Sequence, residues 1–421
     1  MSGARSDDGH DGVRGGSSGD ARDDARRALD AWRDLCRRLE RMGERVLSDD
    51  FPPHERVALL EHLAGQAMCW TGWSVFHADA RRPVFQRQND LVTPWGGPNA
   101  DNVYRHARVD PGRSYRIRGR MHSCEDFLLT VRAGFMHEPR WGTLHEVSAS
   151  DLGIRQGDTF ELLVGGEPTM GPPADGSSPP PRWVPLPDGA AMVSFREYYL
   201  DWVVDEPATI TIECCDEDGD PAGPALDAST LASRFAAAAA GVEHSIEHWN
   251  RYLHDHRDRG TDNAFGAAMQ IPKGLDAARY AFCFWDLADD EALLVECDEP
   301  RARYWSFQCY ELGTYELIDP ADRQSGLNHR QAVTDPDGTV RLVLAHRDPG
   351  VANWLDTGGR PHGLLTLRWF WPEADPHPVT RRVPLHDLAR TLPSDTVWID
   401  PAARAEVLRV RRAHLSLRFR T

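Results

Sequence analysis

The sequence contains almost no lysine and no long apolar segment. Lys273 is the single lysine among 48 basic residues, and the other basic residues are arginine. Acidic residues number 65, so the formal net charge is −17. Surfaces that bind nucleic acid or an anionic membrane need a basic face, and we therefore expect neither partner. No stretch of the sequence reaches the roughly 18 apolar residues that cross a bilayer.

Signals for secretion, for cysteine-held metals and for nucleotides are also missing. The first residues lack the apolar core of a secretory signal, which predicts a cytoplasmic protein. The eight cysteines include no C-x-x-C pair, so we expect reduced thiols and no cysteine zinc site. No glycine-rich phosphate loop follows a predicted strand. Residues 1–20 are rich in Gly, Ser and Asp and predict a disordered tail.

Three parts of the chain are predicted to be helical. Apolar residues recur at steps of three and four in residues 21–78, with two helical segments separated by a proline pair, which predicts a helical hairpin. The same spacing over residues 226–258 predicts one helix that links the two halves of the chain, with Asp227 or Ser229 as its N-cap. A short polar helix is predicted over residues 401–414.

The remaining segments alternate with period two. Residues 79–225 and 259–421 contain short strands separated by turn residues, and the chain has 35 glycines and 30 prolines. The predicted fold is mainly β with helical additions. It has two jelly-roll or β-sandwich-like modules, an N-terminal helical hairpin and a linking helix.

The C-terminal half carries a succession of motifs that resembles a known family. An aromatic strand (RYWSFQCYELGTYELID), a polar loop (DRQSGLNHRQAV), a DG turn with an NWLD element and a GLLTLRWFWP strand occupy residues 303–372. This succession resembles the DUF1214 family over residues 271–385. Upstream, GPNADNVYRHARVD at residues 97–110 is similar to a segment of the companion DUF1254 family. The resemblance implies jelly-roll-like sandwich domains and a family without an agreed activity, for which a link to carbohydrate processing rests on the fold alone.

Polar side chains are dense in the part that resembles this family. Buried polar groups without partners cost about 1–3 kcal/mol each, so the set predicts either a ligand pocket or a structural hydrogen-bond network. The candidate ligand-binding residues are Tyr310, Arg323, Asn328, His329, Gln331, Arg347, Asn353 and Trp354. Aromatic residues that would supply the walls of such a pocket for a sugar ring or another flat ligand are Trp305, Tyr310, Tyr315, Trp354, Trp369 and Trp371.

A histidine and a carboxylate in this set are candidates for acid–base chemistry. His346 and Asp356 are predicted to act as a pair, because an imidazole oriented by a carboxylate is a common general base. No G-x-S-x-G nucleophile motif occurs in the sequence. The sequence therefore predicts an enzyme or binder that acts non-covalently on a small organic or sugar-like ligand in the C-terminal module, with no cofactor. A homo-oligomer is left open.

Two alternatives remain at this point. His244, Glu247 and His248 match H-x-x-E-H, in which histidines four residues apart share a helix face and can hold zinc beside a water-activating glutamate. This pattern predicts a metal-dependent hydrolase as the second hypothesis. The third hypothesis is a structural or interaction protein, in which the polar set only ties loops to the sandwich.

Overall fold

A computed structural model describes residues 18–46, 56–166, 182–204, 206–216 and 226–419. The predicted tail over residues 1–20 lies outside the described residues as far as residue 17, and the first helix begins at Ser18. In the described ranges, no helix combines the length and apolar character that crossing a membrane requires.

Three long helices pack side by side. They are α1 (Ser18–Val46), α2 (Arg56–Thr71) and α3 (Ala228–Arg259). The predicted hairpin corresponds to α1 and α2, but α1 also lies along α3, where the rings of Trp32 and Phe235 are 5.4 Å apart. Asp227 caps α3 by accepting a hydrogen bond of 2.8 Å from the backbone N–H of Thr230.

In the described part of residues 86–214, nine strands build the N-terminal sandwich. These are β1 (Gln86–Gln88), β2 (Asn102–Arg108), β3 (Tyr115–Arg120), β4 (Asp126–Gly134), β5 (Gly142–Ser148), β6 (Thr159–Val164), β7 (Arg182–Val184), β8 (Met192–Tyr198) and β9 (Thr209–Cys214). Sheet A has the order β1-β2-β8-β4-β5 and sheet B the order β7-β6-β3-β9. The apolar side chains between the two sheets form one core.

Residues 278–384 build the C-terminal sandwich from eight strands. These are β10 (Ala278–Asp286), β11 (Glu291–Asp298), β12 (Ala302–Tyr310), β13 (Gly326–Asn328), β14 (Thr339–Ala345), β15 (Trp354–Asp356), β16 (His362–Pro372) and β17 (Val379–Pro384). Sheet C has the order β10-β16-β12-β13 and sheet D the order β15-β14-β11-β17. A second core fills the space between sheets C and D. The predicted fold class, mainly β with N-terminal helices and a linking helix, is confirmed.

Sheets A and C face each other across the junction of the two sandwiches. Their inward residues belong to the two separate cores, so every second residue of these strands points toward the junction. An apolar cluster that includes Leu128, Tyr198, Tyr304 and Phe370 joins the two sheets directly. A further aromatic cluster lies between the sheets and helices α2 and α3. The outer faces of both sheets are therefore covered.

The last helices differ from the prediction. After α4 (Leu388–Thr391), α5 runs over Pro401–Phe419, five residues beyond the predicted end, and is not polar on all sides. Leu415 and Phe419 enter the core of the N-terminal sandwich. Arg411 donates a hydrogen bond of 3.0 Å to the carbonyl of Gly326 in the C-terminal sandwich. The helix thus fastens the two sandwiches together.

Candidate functional site

Three arginines extend from the facing sheets into the junction. Arg132 of β4 and Arg196 of β8 lie on the outer face of sheet A, because their neighbours at odd positions fill the core of that sandwich. Arg368 of β16 occupies the equivalent face of sheet C, between the core residues Leu367 and Trp369. Strand alternation therefore directs three guanidinium groups into the space between two sandwiches.

These arginines line a cavity with aromatic walls. The space that the centre of a water molecule can reach within it is about 120 Å³. On this measure a water needs about 10–15 Å³, so the cavity has room for a compact ligand of roughly ten heavy atoms. The lining residues include no Asp or Glu. The aromatic residues of the wall are Trp95, Tyr104, Phe135, Trp141, Trp249, Tyr252, Tyr280, Phe282, Tyr315 and Phe370.

The guanidinium groups of the cavity lack carboxylate partners. In the part of the chain that the structure describes, Arg132, Arg196 and Arg368 form no ion pair with Asp or Glu. Nη1 of Arg196 and Nε of Arg368 are buried without a hydrogen-bond partner, as is the indole Nε1 of Trp249. Buried charges are normally paired, because burying an unpaired charge costs on the order of several kcal/mol. The cavity therefore presents unused hydrogen-bond donors.

The electrostatics of Arg132 reflect this surplus of positive charge. Burial, together with the neighbouring Arg196 guanidinium, lowers the pKa of Arg132 to about 9. Glu138 and Glu146 lie near enough to oppose this shift, but their carboxylates accept hydrogen bonds from the backbone N–H groups of Phe135 and of residues 276–277. At neutral pH the site holds cations that an anionic ligand would stabilise.

His106 adds a neutral ring to the same wall. Its Nδ1 lies 2.8 Å from the hydroxyl of Ser194, and its Nε2 is buried without a partner. Burial, with the charges of Arg196 and Arg132, holds the pKa of His106 well below its usual range. The ring is therefore neutral at pH 7 and can accept or donate a proton according to its tautomer.

Two glycines permit aromatic side chains to close on the cavity. Gly96 and Gly97 have φ of 61° and 65°, a region that side-chain-bearing residues rarely adopt. A Cβ at Gly96 would lie 2.5 Å from the ring of Trp249, and one at Gly97 would lie 2.4 Å from the ring of Tyr315. The backbone carbonyl of Gly97 also accepts a hydrogen bond of 3.2 Å from Arg368. This loop thus positions two walls and one guanidinium.

A hydrogen-bonded row on β12 connects the cavity with a buried carboxylate. Arg368 donates to the hydroxyl of Tyr310, which lies 2.9 Å from Oε1 of Gln308. Further along the strand, the hydroxyls of Ser306 and Tyr304 are 2.7 Å apart, and that of Tyr304 lies 2.7 Å from Oδ2 of Asp101. The row holds Arg368 in place by contacts from two sandwiches.

The residues of the predicted C-terminal pocket form hydrogen bonds with different parts of the protein. Asn328 donates to Asp101 and to the carbonyl of Leu200, and its Oδ1 accepts the backbone N–H of Gln331. Asn353 donates to the carbonyls of Val333 and Arg341, and the indole of Trp354 donates to Ala345. None of the ten predicted site residues lines the cavity described above. Their role in binding stays a prediction.

The remaining members of that set occupy different surroundings. Arg347 is exposed, whereas Nδ1 of His329 is buried without a partner near the rings of Tyr304 and Trp305. Tyr310 joins the cavity indirectly through Arg368. Of the predicted aromatic walls, Tyr315 lines the cavity, and Trp305 and Trp369 belong to the core between sheets C and D.

His346 and Asp356 are not joined by a hydrogen bond. The two ring nitrogens of His346 lie 2.6 Å from the hydroxyl of Thr357 and 3.2 Å from the carbonyl of Leu287. Asp356 instead accepts hydrogen bonds of 3.0 Å from Arg323 and 2.7 Å from the backbone of Gly358. Because Asp356 pairs in register with Ala345, the histidine is displaced by one position toward Thr357. A catalytic role for either residue stays a prediction.

The H-x-x-E-H pattern lies on α3 without a convergent ligand set. Glu247 pairs with Arg45 at 3.2 Å, and the ring of His248 packs on Trp249 and Tyr252. No group of three or more His, Cys, Asp or Glu side chains that could hold a metal ion occurs among the described residues. The geometry gives the zinc alternative at His244, Glu247 and His248 no support.

Sequence reasoning missed the three arginines, although a signal was present. Arg132 and Arg368 are each the one charge within an apolar segment, FLLTVRAG and LLTLRWFW. Arg196 in MVSFREY is followed by Glu197, which points to the opposite face of the strand. A single charge within a strand that is otherwise buried indicates a partner or a ligand. Tyr104 lies in the segment that resembles DUF1254 and now appears in the wall of the cavity.

Comparison with known proteins gives a family match over part of the chain and no activity. Residues 290–374 match the DUF1214 family, described as a protein of unknown function. This match supports the DUF1214 resemblance, whereas that of residues 97–110 to DUF1254 stays a prediction. No curated protein matches the chain.

Two solved structures are similar to the chain. An uncharacterised protein from Burkholderia cenocepacia has 26% sequence identity and a TM-score of 0.77, and the match covers 86% of this chain and 100% of that one. The VPA0106 protein from Vibrio parahaemolyticus has 12% identity and a TM-score of 0.44, with 77% of this chain and 99% of that one covered.

Proposed function

We propose that the protein binds a small organic anion in the cavity between its two sandwiches. The observation that carries this proposal is the set of three guanidinium groups, Arg132, Arg196 and Arg368, which line one cavity without an acidic residue in its wall. Guanidinium groups form paired, charge-assisted hydrogen bonds with carboxylates. A bound carboxylate would supply the negative charge that the wall lacks.

The wall also favours a ligand with an apolar or aromatic body. Ten aromatic residues surround a space of about 120 Å³, and rings at this distance stack on flat ligands. A sugar would need acceptors for each of its hydroxyl hydrogens, whereas the unpartnered atoms of Arg196, Arg368 and Trp249 are donors. We therefore infer an aryl or alkyl carboxylate as the ligand, which is the small organic alternative of the sequence prediction and not the sugar-like one.

The site differs in position from the one expected from the sequence. That expectation placed the ligand inside the C-terminal module, whereas the cavity is shared by sheets A and C and by α3. The partner remains a small molecule, and the binding contacts require no metal or cofactor.

Isothermal titration calorimetry with benzoate, phenylacetate, glucose and inorganic phosphate tests the proposal. We expect the two aromatic carboxylates to bind and glucose not to bind. Arg196→Met is the informative variant, because Arg196 contacts the ring of Tyr104 at 5.5 Å but its Nη1 has no hydrogen-bond partner, so its loss should leave the fold intact. Removing a charge-assisted hydrogen bond of about 1.5–3 kcal/mol should weaken binding about 10- to 100-fold.

Arg116→Met provides the matched control. Arg116 lies on β3 of sheet B and pairs with Glu161 and Glu213 on the surface, so its loss removes the same positive charge from a different face. We expect no change in affinity for this variant. Equal weakening by both variants, or no binding of either carboxylate by the unmodified protein, contradicts the proposed function.

A further inference from the structure

We propose that His106 is a catalytic base that takes a proton from the carbon next to the carbonyl of a bound 2-oxo acid. This inference rests on the proposed function, because the ligand carboxylate must first bind the arginines. It adds a reaction class and a reacting residue to a binding site.

The geometry of His106 fits a base. The imidazole lines the cavity wall, and Ser194 on the neighbouring strand β8 engages its Nδ1 at 2.8 Å. Register pairing places His106 directly opposite Ser194, so the serine is fixed where it can hold the ring. Nε2 is the remaining nitrogen, and it is buried without a protein partner.

The surroundings select the tautomer that a base requires. The guanidinium groups of Arg132 and Arg196 act on His106 as positive charges. A lone pair near cations is more stable than an N–H near them. The favoured form therefore carries its proton on Nδ1, donates it to Ser194 and leaves Nε2 as an acceptor. A bound carboxylate offsets the guanidinium charges, which raises the pKa of the ring toward the range in which a base is effective.

The surplus of donors matches the charge that develops in such a reaction. One guanidinium suffices for a bidentate carboxylate, and the cavity holds three, together with the free indole N–H of Trp249. In the step, the C–H bond breaks and its proton forms a bond with Nε2 of His106. The C–H electron pair becomes a C=C bond, and the carbonyl π pair moves to oxygen as an enolate. Donors placed in advance stabilise that oxygen, and return of the proton regenerates the oxo acid.

Other groups in the wall do not offer comparable chemistry. The lining includes no serine, cysteine, lysine or carboxylate that could serve as a nucleophile or a second base. Desolvation raises the pKa of the half-buried Tyr252 and the buried Tyr315 hydroxyls and keeps them protonated. Proton transfer beside a carbonyl needs only one base and stabilisation of the oxygen, and the cavity contains both.

Hydrogen–deuterium exchange at C3 of 2-oxo-4-methylpentanoate, followed by proton NMR in D₂O, tests the inference. This probe combines a carboxylate, a ketone and a branched apolar body, and it is no larger than the cavity allows. We expect the unmodified protein to accelerate loss of the C3–H signal about 100-fold or more over buffer, the lower range of general base catalysis. His106→Gln, which keeps a neutral polar side chain, should remove this acceleration while the dissociation constant changes less than about threefold.

A second variant separates chemistry from structure. Ser194→Ala frees Nδ1 of His106 without removing the base, so Ser194 is a positioning residue. We expect a smaller loss of exchange rate and a displaced pH–rate profile, with circular dichroism unchanged. An unaltered profile in Ser194→Ala together with full exchange in His106→Gln overturns the inference.

The remaining outcomes distinguish the two proposals. Binding of the probe without exchange above the buffer rate overturns the role of His106 and leaves carboxylate binding standing. Binding of benzoate but not of the 2-oxo acid also overturns the present inference alone. If no carboxylate binds, both proposals fail.

Discussion

The side-chain amide of Asn328 donates a hydrogen bond of 2.6 Å to Oδ1 of Asp101, which lies 227 positions earlier in the chain. The same buried carboxylate accepts hydrogen bonds from the indole of Trp202 at 3.1 Å, the hydroxyl of Tyr304 at 2.7 Å and the amide of Gln308 at 3.2 Å. All these partners are donors, and they come from both sandwiches. Asp101 therefore links the two halves of the molecule beside the cavity.

Replacing this carboxylate should destabilise the whole protein. In Asp101→Asn, an amide NH₂ would face donors, which leaves several buried polar groups unsatisfied. We expect the free energy of unfolding to fall by about 3–5 kcal/mol in urea titrations. Asp298→Asn makes the same change at an exposed position and should have little effect. Equal stability of the two variants would show that the carboxylate does not fasten the junction.

Removing a cavity arginine should have the opposite effect on stability. The positive charges of Arg196 and Arg132 repel each other, and neither guanidinium has a carboxylate partner in the described residues. Arg196→Met replaces an unpaired charge by an apolar chain, so we expect a gain of about 1 kcal/mol in thermal or urea unfolding while ligand affinity falls. A variant that is less stable and binds as well as the unmodified protein would contradict this account of the cavity.

Acid should unfold the protein partly through His137. Burial, with His248 and His244 nearby, lowers the pKa of the His137 ring to about 3, and neither ring nitrogen has a partner. Because the unfolded histidine binds a proton below about pH 6.5, this contribution is full above that pH and is lost as the pH falls toward 3. Between pH 7 and pH 5 the loss is about 2 kcal/mol for this ring alone.

His137→Leu should therefore lessen the acid sensitivity of unfolding by that amount. Urea titrations at pH 7 and pH 5 measure the difference. The exposed His377→Leu is the control, and it should leave the difference between the two pH values unchanged. If His137→Leu retains the full acid sensitivity, protonation of other groups accounts for the loss.

The loop beside the cavity offers a matched pair of glycine variants. Gly97 and Gly153 have φ of 65° and 64°, but a Cβ at Gly97 would lie 2.4 Å from the ring of Tyr315, whereas one at Gly153 meets nothing within 4 Å. Gly153→Ala should cost about 1–2 kcal/mol for the backbone alone. Gly97→Ala should cost more than that and also weaken carboxylate binding, because Tyr315 must move. Equal losses of stability with intact binding would contradict a role for this contact.

The sandwiches could be predicted from alternation, but their mutual packing could not. Val103 to Val109 alternate clearly enough to identify β2, and Asp227 marks the start of α3. The three-residue strands β13 and β15 are too short to produce a period, so alternation does not predict them. Alternation distinguishes the two faces of a strand. It does not predict which element packs against the face that lies outside the core of its own sandwich.

The site escaped prediction for the same reason. His106 and Arg368 are far apart in sequence, and they line the same cavity because sheet A and sheet C face each other. The predicted ligand-binding residues of the C-terminal half include Asn328 and Asn353, which form hydrogen bonds within the protein. A sequence alone cannot distinguish such a structural network from a ligand site. Arg368 lies among apolar residues in the segment LLTLRWFW, and the sequence does not indicate that sheet A faces this side of the strand.

The contribution of α5 to the first sandwich sets the order in which this chain can fold. Leu415 and Phe419 complete a core whose other members lie between Ala100 and Ile210. Without α5, these core residues would lose their contacts with Leu415 and Phe419 and become more exposed. We therefore expect an interrupted chain to bind chaperones and an excised N-terminal half to be less stable than the same half in the full chain.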